Sequence, residues 1–233
     1  MSKTYFIFKR ELKSLFVSPL AYVMIAVFLG LNSFFYVSFL QEASMRGAFG
    51  MMSMLLIFLM PLITMRTFAE ELKSGTDELL MTSPLRLTHI VAGKYLAVLA
   101  LLLTIFLLTG QYVFILVKYG SPDWGPIITG YIGLILFSGA LASLGVFCSS
   151  LTRNQMVAAV ISLGAGLFII GIELLTGVIH GELAARVLET LGIINHYADF
   201  DKGVIDSTHV IYYLAFIFLF LFLTVRRLDA RRW

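Results

Sequence analysis

Six apolar runs, each near the length that crosses a bilayer, alternate with short polar connections along this chain. They lie at about Leu20 to Leu40, Gly47 to Met65, Ile90 to Val117, Ile127 to Cys148, Gln155 to Ile179 and Thr208 to Val225. A membrane helix needs roughly 20 apolar residues, so the pattern predicts an all-α, polytopic integral membrane protein with six transmembrane helices. Ahead of the first run, Thr4 to Phe16 places Tyr5, Phe8, Leu12 and Leu15 on one helical face, with Lys9, Arg10 and Lys13 elsewhere around the turn. That arrangement predicts an interfacial helix over 4–16, its apolar side at the acyl boundary and its cations at the headgroups. Ser18-Pro19 breaks it, because the residue before a proline is pushed out of the α region. It reads either as a plain anchor or as an elbow that slides when the bundle moves.

The connections are too short for a separate soluble domain, so residues 1–233 are expected to form one transmembrane domain. The longest, 181–207, has Leu183, Val187, Leu188 and Leu191 at helical spacing. It could re-enter the outer leaflet as short helices. Composition agrees: 59% of residues are hydrophobic and 13% charged, against about 25% charged in soluble domains, and mean hydropathy is +0.92. The first run is too long for a cleaved secretory signal and no A-x-A-like site follows it. Cys148, the single cysteine, can form no internal disulfide, and its expected role is packing.

Orientation follows from Lys and Arg, which concentrate in cytoplasmic loops. Six spans put both termini on one side, with Lys3, Lys9, Arg10, Lys13, Arg66, Lys73, Arg86, Lys94, Arg153, Arg226, Arg227, Arg231 and Arg232. The other side keeps only Arg46, Lys118, Arg186 and Lys202. The termini and the 66–89 loop are therefore expected in the cytoplasm. The pI of 9.0 reflects this anchoring to the lipid bilayer. No basic patch is interleaved with surface aromatics, so no nucleic acid partner is expected.

The 66–89 loop concentrates charge and capping signals between two apolar runs. Glu70 and Glu71 follow the second span, and Lys73 stands within helical pairing distance of Glu70. Ser74-Gly75-Thr76 interrupts the pattern. Ser74 or Thr76 could cap a new helix with Asp77 and Glu78 in its first turn, and Pro84 would end it. The expectation is a short helix over about Thr76 to Thr82 that displays Leu79, Leu80 and Met81. Those apolar residues either enter a partner's groove or fold back onto the membrane interface.

Elsewhere, Pro61 can kink the second span one turn before the loop. Ser138, Gly139, Ala140, Ala142, Ser143 and Gly145 in the fourth span, and Gly164, Gly166 and Gly171 in the fifth, allow close helix packing within one chain or between two. Glu173, an intramembrane carboxylate near the outer end of span five, is a candidate for the pathway, with interfacial solvation as the alternative. His180, His196 and His209 lack metal-ligand spacing, and no metal is expected. Gly93-Lys94 is followed by Tyr95, so the G-x-x-x-x-G-K-[ST] phosphate loop is missing, and no cofactor is expected in this chain. Neither H-E-x-x-H nor G-x-S-x-G occurs, which argues against an intramembrane enzyme. A secondary transporter would need midplane ionisable groups, for which Glu173 is thin support.

Met65-Arg-Thr-Phe-Ala-Glu-Glu-Leu-Lys-Ser-Gly-Thr-Asp-Glu-Leu-Leu-Met-Thr-Ser-Pro84, with Gly93-Lys94-Tyr95 opening the next span, resembles the ABC-2 family of ATP-binding-cassette permeases. The resemblance runs in order from Lys9-Arg-Glu-Leu12 through the last span. Asn154-Gln155 and Phe200-Asp-Lys-Gly-Val-Ile-Asp206 resemble more narrowly the gliding-motility type. The resemblance implies an exporter half in the bacterial cytoplasmic (inner) membrane, driven by two separate ABC ATPase subunits that carry ATP and Mg. It also implies a second permease copy or paralogue and allows an extracytoplasmic auxiliary subunit. The cytoplasmic segment after span two is the coupling helix of such permeases, which makes Glu70, Glu71, Lys73, Gly75, Thr76, Asp77, Glu78 and Leu79 the expected ATPase contacts. The 181–207 segment becomes an external gate. A membrane anchor acting mechanically without transport is the alternative.

Overall fold

The computed structural model describes residues 3–38, 45–76, 85–120, 122–176 and 192–231, with the backbone alone over 172–176. Among the described residues all regular structure is helical: α1 (Lys3–Val17), α2 (Pro19–Ser38), α3 (Arg46–Thr64), α4 (Arg66–Ser74), α5 (Leu87–Tyr119), α6 (Trp124–Leu151), α7 (Gln155–Thr176), α8 (Asn195–Asp201) and α9 (Ser207–Asp229). The chain turns from α1 into α2 at Ser18, with Pro19 in the first helical position. Proline suits that place because its missing N–H would have no partner there.

Five helical segments are long and apolar enough to cross a membrane: Pro19–Ser38, Arg46–Ser74, Leu87–Tyr119, Trp124–Leu151 and Ser207–Asp229. The second joins α3 and α4, so the helix that hydropathy ends at Met65 runs on into the charged segment. α5, at 33 residues, is about 50 Å long and exceeds the roughly 30 Å hydrocarbon core. The sixth expected span corresponds to α7, whose apolar stretch with described side chains is Gln155–Gly171. Residues 177–179 of that window, 77–84 of the loop and 181–191 of the outer segment lie outside the described residues.

α6 is the centre of the bundle. Of its most apolar window 78% is buried, against 22% for α2 and 11% for α9, as expected for a helix that is apolar all round. Its Ser138, Gly139, Ala140, Ala142, Ser143 and Gly145 are all buried, so the small residues of this span serve packing within the chain. A Cβ on Gly145 would lie 2.8 Å from Thr64 Cβ, which lets α3 and α6 approach closely only because the residue is glycine. In α7, by contrast, a Cβ on Gly164, Gly166 or Gly171 would meet nothing within 4 Å among the described residues.

Among the described residues the charged side chains gather at the two ends. One end holds α1, α4, the start of α5 and the end of α9, where Ile7, Phe68, Leu72, Leu87, Val146 and Leu228 share a core. At the other, α8 lies across α6: Thr129 Oγ1 donates to Phe200 O at 2.7 Å, and Tyr213 OH donates to Ile193 O at 2.7 Å. α8 thus supplies a short helix within the segment expected to form outer helices.

Candidate functional site

α4 is amphipathic. Phe68, Ala69 and Leu72 face the bundle, while Glu70, Lys73, Gly75 and Thr76 are exposed. Gly75 ends the helix at φ 70°, a left-handed conformation that glycine adopts without a Cβ penalty. Ser74 Oγ donates to Glu70 O at 3.0 Å and lies 2.9 Å from Thr76 Oγ1. Thr76 thus occupies the turn after α4, and the Asp77, Glu78 and Leu79 expected to follow lie outside the described residues.

The joint between α3 and α4 is held by a residue from another helix. Phe68 N and Ala69 N donate to Ser149 Oγ at 3.0 and 3.1 Å, and Ser149 Oγ donates to Met65 O at 2.9 Å. Thr67 Oγ1 donates to Thr64 O at 2.7 Å. A side chain inserted into the i to i−4 ladder bends or breaks a helix while keeping its polar groups satisfied. Pro61 sits one turn earlier, and Met65 N donates to Pro61 O at 2.9 Å, so the interruption falls at Met65, beyond the proline itself.

Behind α4 lies a buried ammonium. Lys94 of α5 has a side chain only 1% exposed, and burying an unpaired cation is costly. Its Nζ donates to Thr67 O at 2.7 Å and pairs with Glu71 Oε1 at 2.9 Å and Glu11 Oε1 at 3.3 Å. Three acceptors match the three N–H bonds of an ammonium. The Phe68 ring adds its face at 5.0 Å. Arg10 Nη2 closes the cluster, 2.6 Å from Glu11 Oε1 and 3.1 Å from Glu71 Oε1. Two cations and two carboxylates therefore tie α1, α4 and α5 together.

α1 is seated accordingly. Thr4 Oγ1 lies 2.9 Å from His89 Nδ1, and Ile7 packs where a Cβ on Gly93 would come within 2.8 Å of its Cγ2. The row Thr4, Ile7, Glu11 faces α5, while Tyr5 and Phe6 are exposed. The expected lipid-facing stripe is thus adjacent to a second, protein-facing row. Beside the junction opens a cavity of about 660 Å³, walled in part by Arg10, Glu11, Arg66, Glu71 and Lys94.

The family profile described as ABC-2 family transporter protein matches residues 5–224, nearly the whole chain. The chain belongs to the ABC-2 transporter family. It is the membrane-spanning permease component of an ABC transporter. The search among curated proteins found no match.

Of the ATPase contacts expected in this ABC-2 permease, Glu70, Lys73, Gly75 and Thr76 are displayed on one exposed segment. Glu71 is turned inward to Lys94 and Arg10. Glu173 lies in α7, and its side chain falls outside the described residues. Lys94, Arg10, Glu11 and Ser149 were not singled out by the sequence as site residues. Apart from the Arg10–Glu11 pair their partners are distant along the chain, and the signals they carried were others: Arg10 and Lys94 as cytoplasmic-side cations, and Arg10, Glu11 and Lys94 as members of the stretches that resemble the family. At the opposite end, His196 Nδ1 lies 2.6 Å from His209 Nδ1 and His209 Nε2 lies 2.9 Å from Asp199 Oδ2. The sequence grouped these two with His180 only as lacking metal-ligand spacing, and the fold brings His196 and His209 into contact.

Proposed function

We propose that this ABC-2 permease is one half of an exporter whose α4 and following residues receive force from an ABC ATPase. The observation that carries the reading is the mounting of α4. Its polar face, with Glu70, Lys73, Gly75 and Thr76, is open to a partner, while its back is fixed to α5 by Lys94, to α1 through Glu11 and Arg10, and to α6 by Ser149. A push on such a lever moves three helices, whereas a push on a loose loop would be dissipated locally. Asp77, Glu78 and Leu79 continue the contact set, with Glu71 acting from behind it.

In this reading both termini and α4 lie in the cytoplasm of a bacterial inner membrane, α7 completes a sixth span, and ATP and Mg are bound by two ATPase subunits. A second permease pairs against α7, where Gly164 and Gly171 leave space for an approaching helix. The 181–207 segment closes the outer exit. The Asn154-Gln155 and Phe200 to Asp206 pieces carry the finer likeness to gliding-motility-type permeases, a subtype that the neighbouring genes would test.

Charge reversal tests the docking. Asp77→Lys with Glu78→Lys is expected to abolish stimulation of the ATPase by the permease and to weaken its copurification. Unchanged copurification together with unchanged stimulation would refute it.

A further inference from the structure

The end of the bundle opposite α4 holds a contact between two ring nitrogens. His196 Nδ1 of α8 lies 2.6 Å from His209 Nδ1 of α9. On its other side His209 Nε2 lies 2.9 Å from Asp199 Oδ2, and an ionised carboxylate only accepts, so His209 donates from Nε2. The His196 ring is fixed by stacking on Tyr212, with centroids 4.0 Å apart. Two imidazole nitrogens on one tetrahedral zinc, each at about 2.0–2.1 Å from the metal, would stand about 3.3 Å apart. The shorter spacing found here is that of a hydrogen bond, with one proton between the rings.

The contact tolerates one added proton and no more. With both rings neutral, His209 Nδ1 accepts from His196 Nδ1. When either ring takes up a proton, the imidazolium donates and the neutral ring accepts, so the contact survives a single charge. With both rings charged, each Nδ1 bears a hydrogen, no acceptor is left between them, and two like charges face each other. The neighbours favour the same limit. Asp199 and Asp206 act on His209 as carboxylates, Lys202 pairs with Asp199 at 2.9 Å, and Asp201 faces Arg46 of α3 and Lys202. α6, which α8 crosses, has no charged residue, and Tyr197, Tyr212 and Tyr213 add only phenols. Among the described residues three carboxylates and two cations thus leave one negative charge, which a single imidazolium neutralises.

We propose that His196 and His209 form an acid-sensitive latch, which holds α8 to α9 while the pair carries at most one charge and releases when it carries two. Tyr213 OH still donates to Ile193 O and Thr129 Oγ1 to Phe200 O, so release loosens α8 against the start of α9 and leaves the fold in place. Asp199 stays ionised through this step, because the Lys202 ammonium and the His209 ring hold its carboxyl below the usual carboxylate range. The latch is thereby separate from protonation of Asp199 itself. It is independent of ATPase docking, and only its facing the outside of the cell rests on the orientation proposed above.

Hydrogen exchange of the full chain in one detergent, corrected for its intrinsic pH dependence, is followed from about pH 8 to about pH 4.5, with and without a metal chelator. In the wild type, protection at the α8 amides and the first two turns of α9 is expected to fall by about fivefold or more across this range, equally in both conditions. His196→Gln and His209→Gln should each flatten the profile, because a glutamine amide keeps a donor and an acceptor at every pH. His89→Gln, at the opposite end, should leave the fall in place. A flat wild-type profile, a fall retained in either of the first two variants, a fall removed by His89→Gln, or one seen only without chelator would each overturn the proposal. The wild-type profile is independent of how the variants fold.

Discussion

Lys94 Nζ stands 2.9 Å from Glu71 Oε1 and 3.3 Å from Glu11 Oε1, so a single buried ammonium joins the first helix, the charged segment after α3 and the longest span. An exposed pair at this spacing would add little. Here the cation is almost fully withdrawn from water and every one of its donors is used, and removing either partner leaves a charge that the surroundings were built to neutralise.

Lys94→Met is therefore expected to lower unfolding free energy by on the order of 3 kcal/mol, less to the extent that water reaches Glu11 and Glu71. Combining it with Glu71→Gln should cost less than the sum of the two single changes, because the two residues interact directly. Thermal unfolding of the four proteins in one detergent measures the cycle. Simple additivity would show that the pair is not coupled.

Ser149 offers a different kind of test. Ser149→Ala leaves Phe68 N and Ala69 N without their acceptor, and an unmet buried donor costs about 1–3 kcal/mol. Hydrogen exchange should accelerate at Phe68 and Ala69 while the amides in the middle of α6 stay protected. Unchanged protection at the joint would mean that the ladder closes without Ser149.

Much of the fold was legible because hydropathy reports burial in lipid and protein alike. The apolar runs located α2, α3, α5, α6 and α9, and Ser18-Pro19 marked the turn after α1. The continuation of α3 into α4 was hidden, since Glu70, Glu71 and Lys73 lower hydropathy while Phe68, Ala69 and Leu72 keep one face buried. Lys94 counted as a flanking cation because its carboxylates lie on α1 and α4, and long-range pairs leave no local pattern. Likewise the small residues of α6 and α7 looked alike in sequence, and only packing separates them: a Cβ on Gly145 would run into Thr64, while one on Gly164 would meet nothing within 4 Å among the described residues.

That separation predicts opposite outcomes for one substitution. Gly164→Leu should leave the monomer folded and reduce pairing of permease copies. Gly145→Leu should destabilise the chain itself by driving into Thr64. Mass photometry and thermal unfolding of both variants distinguish the two. A Gly164→Leu protein that still pairs fully would place the second copy elsewhere.

At the end opposite α4, acid should loosen α8. The Lys202 ammonium and the His209 ring hold the Asp199 carboxyl below the usual carboxylate range. Because the folded value is lowered, this contribution is fully present above about pH 4, where a free aspartate is ionised, and is lost as pH falls through the lowered value. Exchange at the α8 amides should rise over that acid window in the wild type and show a weaker dependence in Asp199→Asn. An identical pH profile in the two would remove Asp199 from the account.

Whether an ATPase engages the exposed face of α4 is answered most directly by site-specific photo-crosslinking in native membranes. A photoreactive residue at Glu70, Lys73 or Thr76 should join the permease to an ABC ATPase, and one at Val204 or Ile205, exposed at the other end, should not. Crosslinks to the ATPase from Val204 or Ile205, with none from the α4 positions, would contradict the assignment of α4 as the receiving element.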